Sequence, residues 1–233
     1  KNAGAQGRWS LLSQRIPSEL TATEWSANLA QQLLVRNGIV MRETAASENI
    51  SGGYSTIYPA LKKMEDAGWV RRGMFVAGMG AAQFAMSAAV DMLRGFRVNP
   101  ESPESVYLAA SDPANPYGTL LPWPRLEENS TDPNALQSLA RAAGAGVILV
   151  NGQLAAYLRR RNPAIRIFLP ENEPERSQFA REVASRLANL AIRRQGRRHG
   201  LLIATINDQP AKDHFMARFL EDAGFVNTAL GYH

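Results

Sequence analysis

Seven arginines stand in two runs late in this chain: Arg159, Arg160 and Arg161 in "LRRRNP", and Arg193, Arg194, Arg197 and Arg198 in "RRQGRRHG". Arginine carries a planar, permanent charge whose donors fit phosphate oxygens in pairs. Cations at a helix C-terminus are favourable by about 0.3–1 kcal/mol, which accounts for Arg193 and Arg194 alone. Between Ala140 and Gly200 the chain holds twelve arginines and four acids. That imbalance fits a surface tracking a nucleic-acid backbone; a solvated basic face is the alternative.

A second basic stretch is "GGYSTIYPALKKMEDAGWVRRGMF", Gly52 to Phe75. A helix lying in a DNA groove contacts bases and phosphates with residues near its N-terminus. Tyr54, Ser55 and Thr56 hold that position, and Lys62 and Lys63 lie one or two turns on, within reach of the backbone. Arg71 and Arg72 fall on a strand, where consecutive side chains point to opposite faces. A structural helix with a solvated basic face again explains the same residues.

Acid–base chemistry has few candidates. Asp208 and Asp213, with His214, cluster in "INDQPAKDHF" after an apolar run. A polar turn for Asp208 and a first helical turn for Asp213, where carboxylates are favourable, account for both. There is no cysteine, and none of the three histidines sits in an HExxH pattern, so no metal centre is expected. Neither GxxxxGK[ST] nor GxSxG occurs, so no phosphate cradle for ATP and no nucleophile elbow is expected. No apolar run approaches the roughly 18 residues of a membrane span.

The elements that must position these residues can be read from periodicity and turn chemistry. Residues 1–20 read as a connecting segment in which Trp9 and Leu12 dock. Thr21 and Glu24 stand at capping-box spacing before a helix with Trp25, Leu29 and Leu33 on one face and Ala30 and Leu34 beside them. A short strand at "NGIV", a short helix at "ETAASENI", a third helix from about Ser55 to Ala67, then "WVRRGMFV", a turn at Ala77–Gly80 and "AAQFAM" follow. Helix, strand, helix, helix, strand, turn, strand is the order of a winged helix. "SAAVDMLRGF" adds a closing helix. Prolines then concentrate, which marks turns and edges and sets a boundary near residues 97–104.

Beyond it, "SVYLAA", "GTLLPW", "AIRIFL" and "GLLIATI" read as strands, and "NALQSLARAAG" as a helix. "GVILV-NG-QLAAYL" reads as a hairpin turning at Asn151-Gly152. A long amphipathic helix carries Phe179, Val183, Leu187 and Leu190, and a last helix and strand close the chain. The expected class is α+β: a winged helix over 21–97, then a barrel-like or curled-sheet α/β module over 98–233.

The runs "GRWSLL", "RRGMFVAGMGAAQFA", "DPANPYG", "GLLIATINDQP" and "FLEDAGF" resemble the C-terminal region of the large helicase-related (Lhr) family over nearly the whole chain. The resemblance implies a piece of a longer superfamily 2 DNA helicase that moves 3′ to 5′, its motor lying upstream with ATP and Mg, and no cofactor in this piece. Winged-helix modules and a barrel-like module, a tetrameric homo-oligomer, single-stranded or branched DNA and the upstream helicase domains as partners, and a cytoplasmic, nucleoid-associated location are also implied. So are a role in DNA repair and uracil-DNA glycosylase chemistry, for which Asp208 and Asp213 are carboxylates by location only. Three readings stay open: a nucleic-acid-binding accessory region, an assembly module, and part of a base-excision site. The apolar wing "GMFVAGMGAAQFAM" leans toward assembly for the wing, with DNA on the arginine runs.

Overall fold

Thr21 opens the first helix. Its hydroxyl and the Glu24 carboxylate cap each other's ends, with Glu24 N–H to Thr21 Oγ1 at 3.2 Å and Thr21 N–H to Glu24 Oε2 at 3.0 Å. The computed structural model describes residues 11, 20–80, 82–96, 102–124, 139–194 and 200–233, the side chains of Arg193 and Arg194 apart. The proposed connecting segment, Trp9 and Leu12 included, falls almost wholly outside the described residues. The chain forms two units, Lys1–Arg97 and Val98–His233.

The first unit runs α1 (Ala22–Asn37), β1 (Ile39–Val40), α2 (Arg42–Ser47), α3 (Tyr54–Asp66), β2 (Val70–Gly73), β3 (Gln83–Met86) and α4 (Ser87–Gly95). Its sheet has the order β1-β3-β2, all antiparallel. Ala30, Leu33, Leu34, Val40, Ala45, Ile57, Leu61, Val70 and Phe84 form its core. Gly52 and Gly53 both take left-handed φ, which a side chain resists, and so turn the backbone into α3. The buried stripe of α1 is rotated from the expected one. Trp25 is 43% exposed while Ser26 is buried, its hydroxyl donating to the Thr56 carbonyl at 2.6 Å. A small hydroxyl with a partner fits where α1 meets α3; an indole does not.

The second unit holds β4 (Ser105–Ala109), β5 (Ala145–Val150), β6 (Gln153–Arg159), β7 (Ala164–Ile167), α5 (Glu175–Arg194), β8 (Thr205–Ile206), β9 (Gln209–Pro210), α6 (Ala217–Asp222), β10 (Asn227–Thr228) and β11 (Gly231–Tyr232). Strands β4 to β9 stand in one row in chain order, antiparallel except for the parallel β7–β8 pair. Among the described residues nothing pairs β4 with β9, so the sheet is open and the expected barrel closure is absent.

Every residue of β5 is buried, because both faces of the sheet are covered. Ile148, Val150, Leu158 and Ile165 share one core with Phe179, Val183 and Leu187 of α5 and with Phe219 and Leu220 of α6. Val147, Leu149, Leu154 and Tyr157 share another with Leu139, Tyr117 and Trp123. The proline-rich stretch therefore covers a sheet face. It contributes no strand at "GTLLPW", only a Tyr117–Leu121 bridge and a turn, since Pro116 and Pro122 have no N–H to extend a ladder.

In "GLLIATI" only Thr205 and Ile206 join the sheet, while Ile203 bridges to Tyr232 instead. The first half of the expected helix "NALQSLARAAG" lies outside the described residues, and Leu139–Gly144 is not helical. There the Arg141 guanidinium donates to the carbonyls of Ser111, Asp112, Asn115 and Tyr117 at 2.6–3.2 Å, wrapping the "DPANPYG" loop around one side chain.

Candidate nucleic-acid interface

In the first unit the expected contact residues divide by what already holds them. The Tyr54 hydroxyl donates to the Ala82 carbonyl, and its ring lies 5.8 Å from that of Tyr58. Burial pushes the Tyr54 phenol up to about 12. Thr56 Oγ1 donates to the Ser51 carbonyl at 2.8 Å. Both side chains thus brace the start of α3 and the wing. Arg72 is paired with Glu65 at 3.2 Å. Ser55, Lys62, Lys63 and Arg71 are exposed, and none of these three cations forms an ion pair among the described residues.

The wing itself is held by one buried amide. Gln83, 0% exposed, accepts from the Phe75 and Val76 N–H groups at 2.8 Å each through Oε1. Its Nε2 donates to the Val76 and Gly80 carbonyls at 3.0 and 3.3 Å. Beside this module α1 and α3 frame an apolar groove of about 530 Å³, lined by Ala27, Pro59, Ala60, Met64 and Trp69 among others.

In the second unit, β6 ends at Arg159 and the chain turns through Arg160 and Arg161, with Arg161 at positive φ. Asn162 Oδ1 accepts from the Ala164 N–H at 2.9 Å and fixes the turn. Arg159 Nε donates to Tyr157 Oη at 3.1 Å, aligning the guanidinium. Arg159, Arg161, Asn162 and Pro163 line a groove of about 550 Å³ with Gly200, Leu201, Leu202 and His233. Gly200 is the first described residue after Arg197 and Arg198, which lie outside the described residues. Arg193 and Arg194 end α5, their side chains undescribed. The first arginine run and the chain that follows the second therefore line one groove, which a distance of this size in sequence does not predict.

The carboxylate candidates are not brought to such a groove. Asp208 sits at positive φ in the β8–β9 turn, 2.5 Å from Arg166. Its neighbour Asn207 exchanges two hydrogen bonds with the Ile167 backbone at 2.8 and 2.9 Å, prolonging the β7–β8 pairing with a side chain. Asp213 is exposed in a 3-10 turn at Ala211–Asp213. Among the described residues no group of three or more His, Asp or Glu could hold a metal ion. Sequence reading missed a further cationic cluster, Arg176 and Arg218 on the Phe215 ring beside His214. Its members lie too far apart in the chain for any local pattern to mark them.

Residues 19–105 match the family model described as "Large helicase-related protein, winged-helix domain". A curated protein named "Lhr helicase/ probable uracil glycosylase" from Mycolicibacterium smegmatis is 38% identical over 205 residues, covering 86% of this chain and 12% of its own length. One named "Lhr helicase/uracil glycosylase" from Escherichia coli is 35% identical over 228 residues, 97% of this chain and 14% of its own. This chain thus spans a small fraction of the proteins it matches. The winged-helix match and the alignment of most of the chain with both relatives show that it belongs to the large helicase-related family.

Proposed function

We propose that this chain is the C-terminal accessory region of an Lhr-type ATP-dependent DNA helicase and binds nucleic acid through the Arg159–Arg161 groove. The observation that carries the reading is the convergence of Arg159 and Arg161 with Gly200, which follows Arg198 by two positions in the chain, on one open groove. Ser55, Lys62, Lys63 and Arg71 offer a second, smaller basic face on the winged helix. ATP and Mg serve a motor elsewhere in the parent protein. The strand bound is single-stranded or branched DNA, in the bacterial cytoplasm at the nucleoid, in the service of repair. Among the described residues no helix is long and apolar enough to cross a membrane.

The test is fluorescence anisotropy with labelled single-stranded and duplex DNA over a salt series. Each neutralised phosphate adds about 0.9 to the log–log slope on duplex and about 0.7 on a single strand. A slope of several units that falls in an Arg159→Gln/Arg161→Gln variant supports the groove. Salt-independent or absent binding overturns it.

A second reading concerns assembly. Trp69 is 71% exposed at the rim of the apolar α1/α3 groove, and Met74 is as exposed on the wing strand's end. Apolar surface of this kind favours a protein contact; we assign it to assembly with upstream domains or with other copies, up to a tetramer. Light scattering that gives the same mass for Trp69→Ser as for the unsubstituted chain removes it. The printed names of both relatives include uracil glycosylase, and a role in base excision is the third reading for the parent protein.

A further inference from the structure

Two guanidinium groups share one aromatic ring on the second unit. Arg176 of α5 lies 4.2 Å from the Phe215 ring centre, and Arg218 of α6 lies 4.7 Å from it and 4.5 Å from the Phe219 ring centre. Phe215 and Phe219 are themselves in contact, centroids 5.3 Å apart, and Phe219 is rooted in the core. The rings therefore hold both forks in place, which removes much of the rotamer freedom a long cation otherwise loses on binding.

Neither guanidinium has a hydrogen bond or ion pair among the described residues. Both forks therefore keep their N–H donors for a ligand. Arg176 also occupies the first turn of α5, where the helix dipole disfavours a cation. Its N-terminal carboxylate neighbour Glu173 is turned away, accepting from Ser177 N–H and Oγ at 3.1 and 2.9 Å. The rings account for where the two forks lie; an anion would take the N–H donors that they leave unpaired.

His214 completes the cluster. Its Nδ1 accepts the Met216 N–H at 3.1 Å, which leaves Nε2 as the ring's remaining nitrogen. Burial, and then the charge of Arg176, hold the imidazole below its usual pKa, so at neutral pH the ring is uncharged and Nε2 carries a proton to donate.

We propose that Arg176, Arg218 and the Nε2–H of His214, ordered on the Phe215 and Phe219 rings, form a phosphodiester-binding site for a nucleic-acid strand, separate from the Arg159–Arg161 groove. The inference rests on the nucleic-acid reading above. Basic side chains that track the backbone beside aromatic rings are how single strands are gripped without reading sequence.

The test compares binding of a fluorescent oligothymidylate by the unsubstituted chain, by Arg176→Gln/Arg218→Gln, and by Arg181→Gln/Lys212→Gln. The last removes two exposed cations that do not touch the rings, one on α5 and one in the 3-10 turn before His214. Expected is an affinity loss of about tenfold or more for the cluster variant, with the salt slope lower by about 1.4, two single-strand phosphates. The control variant loses less than about threefold, its charges being only screened neighbours. Equal losses in the two variants mean diffuse charge and overturn the site while the nucleic-acid reading stands. Unchanged binding by the cluster variant does the same. No binding by the unsubstituted chain removes that reading and this ligand with it, and binding of an acidic peptide in its place, lost in the cluster variant, would make the site a protein contact.

Discussion

Replacing Gln83 by alanine tests whether one side chain holds the wing. The amide satisfies two backbone N–H groups, of Phe75 and Val76, and two carbonyls, of Val76 and Gly80. It is fully buried, but Phe75 and Val76 are only half-buried, so water can reach their N–H groups once the amide is gone. Each N–H then costs about 1 kcal/mol, the low end for a buried donor without its acceptor. The lost packing of a buried side chain adds about 1 kcal/mol more. The winged-helix unit should be destabilised by about 3 kcal/mol, which shifts its urea midpoint by at least about 1 M. Amide exchange followed by NMR resolves the two units: Phe75 and Val76 should lose protection first, and β5 and β6 should be unaffected. Gln83→Glu should be no better, since it keeps the acceptor, discards the Nε2 donors and buries a charge. A midpoint within about 0.3 M of the original with both amides still protected would refute the reasoning.

Other outcomes follow from single contacts. Tyr54 and Tyr232 are both pushed up to about 12, mainly by burial, and Tyr232 Oη donates to Glu221 at 2.7 Å. The folded state keeps both protons where the unfolded chain, at about 10, has lost them. The stability they give is whole below pH 10 and is lost as pH climbs toward 12. Ultraviolet titration should show a late-ionising tyrosine signal that shrinks in Tyr232→Phe. Gly231→Ala places a Cβ 2.3 Å from the Ile203 carbonyl oxygen at a φ of +120°, so it should cost about 3 kcal/mol or more and expose the Ile203 and Tyr232 amides to exchange. Asp208→Asn breaks a pair in which Arg166 is 13% exposed and Asp208 47%, so thermal unfolding should register a loss of about 1 kcal/mol. In a parent-length protein it should leave any uracil excision intact; lost excision in a folded variant would make Asp208 catalytic.

The sequence announced what depends on neighbours along the chain. The Thr21–Glu24 box, the Asn151-Gly152 turn and the glycine pair before α3 each formed as their local chemistry requires. Misreadings came where a partner far away decides. Trp25 has the right spacing for the α1 stripe and lost the place to Ser26 because Thr56 supplies a carbonyl. "GLLIATI" is apolar enough for a full strand, yet Ile203 is claimed by Tyr232. The parallel β7–β8 pair has no local signature at all. The site shows the same division. Arg159–Arg161 stood out as a run, whereas Arg176, Phe215 and Arg218 meet only once α5 and α6 are packed. Arg141 counted as a basic residue in the sequence and turned out to be internal scaffolding.

That scaffolding has a consequence for what happens if the chain is cut. Arg141 fastens the start of β5 to the loop after β4 through four carbonyls, so the two strands are joined by one side chain as well as by their ladder. A chain nicked by a protease between Trp123 and Leu139 should therefore keep its two pieces together through a sizing column. Arg141→Lys should let them part more readily, because an ammonium has three donors and cannot serve four carbonyls at once.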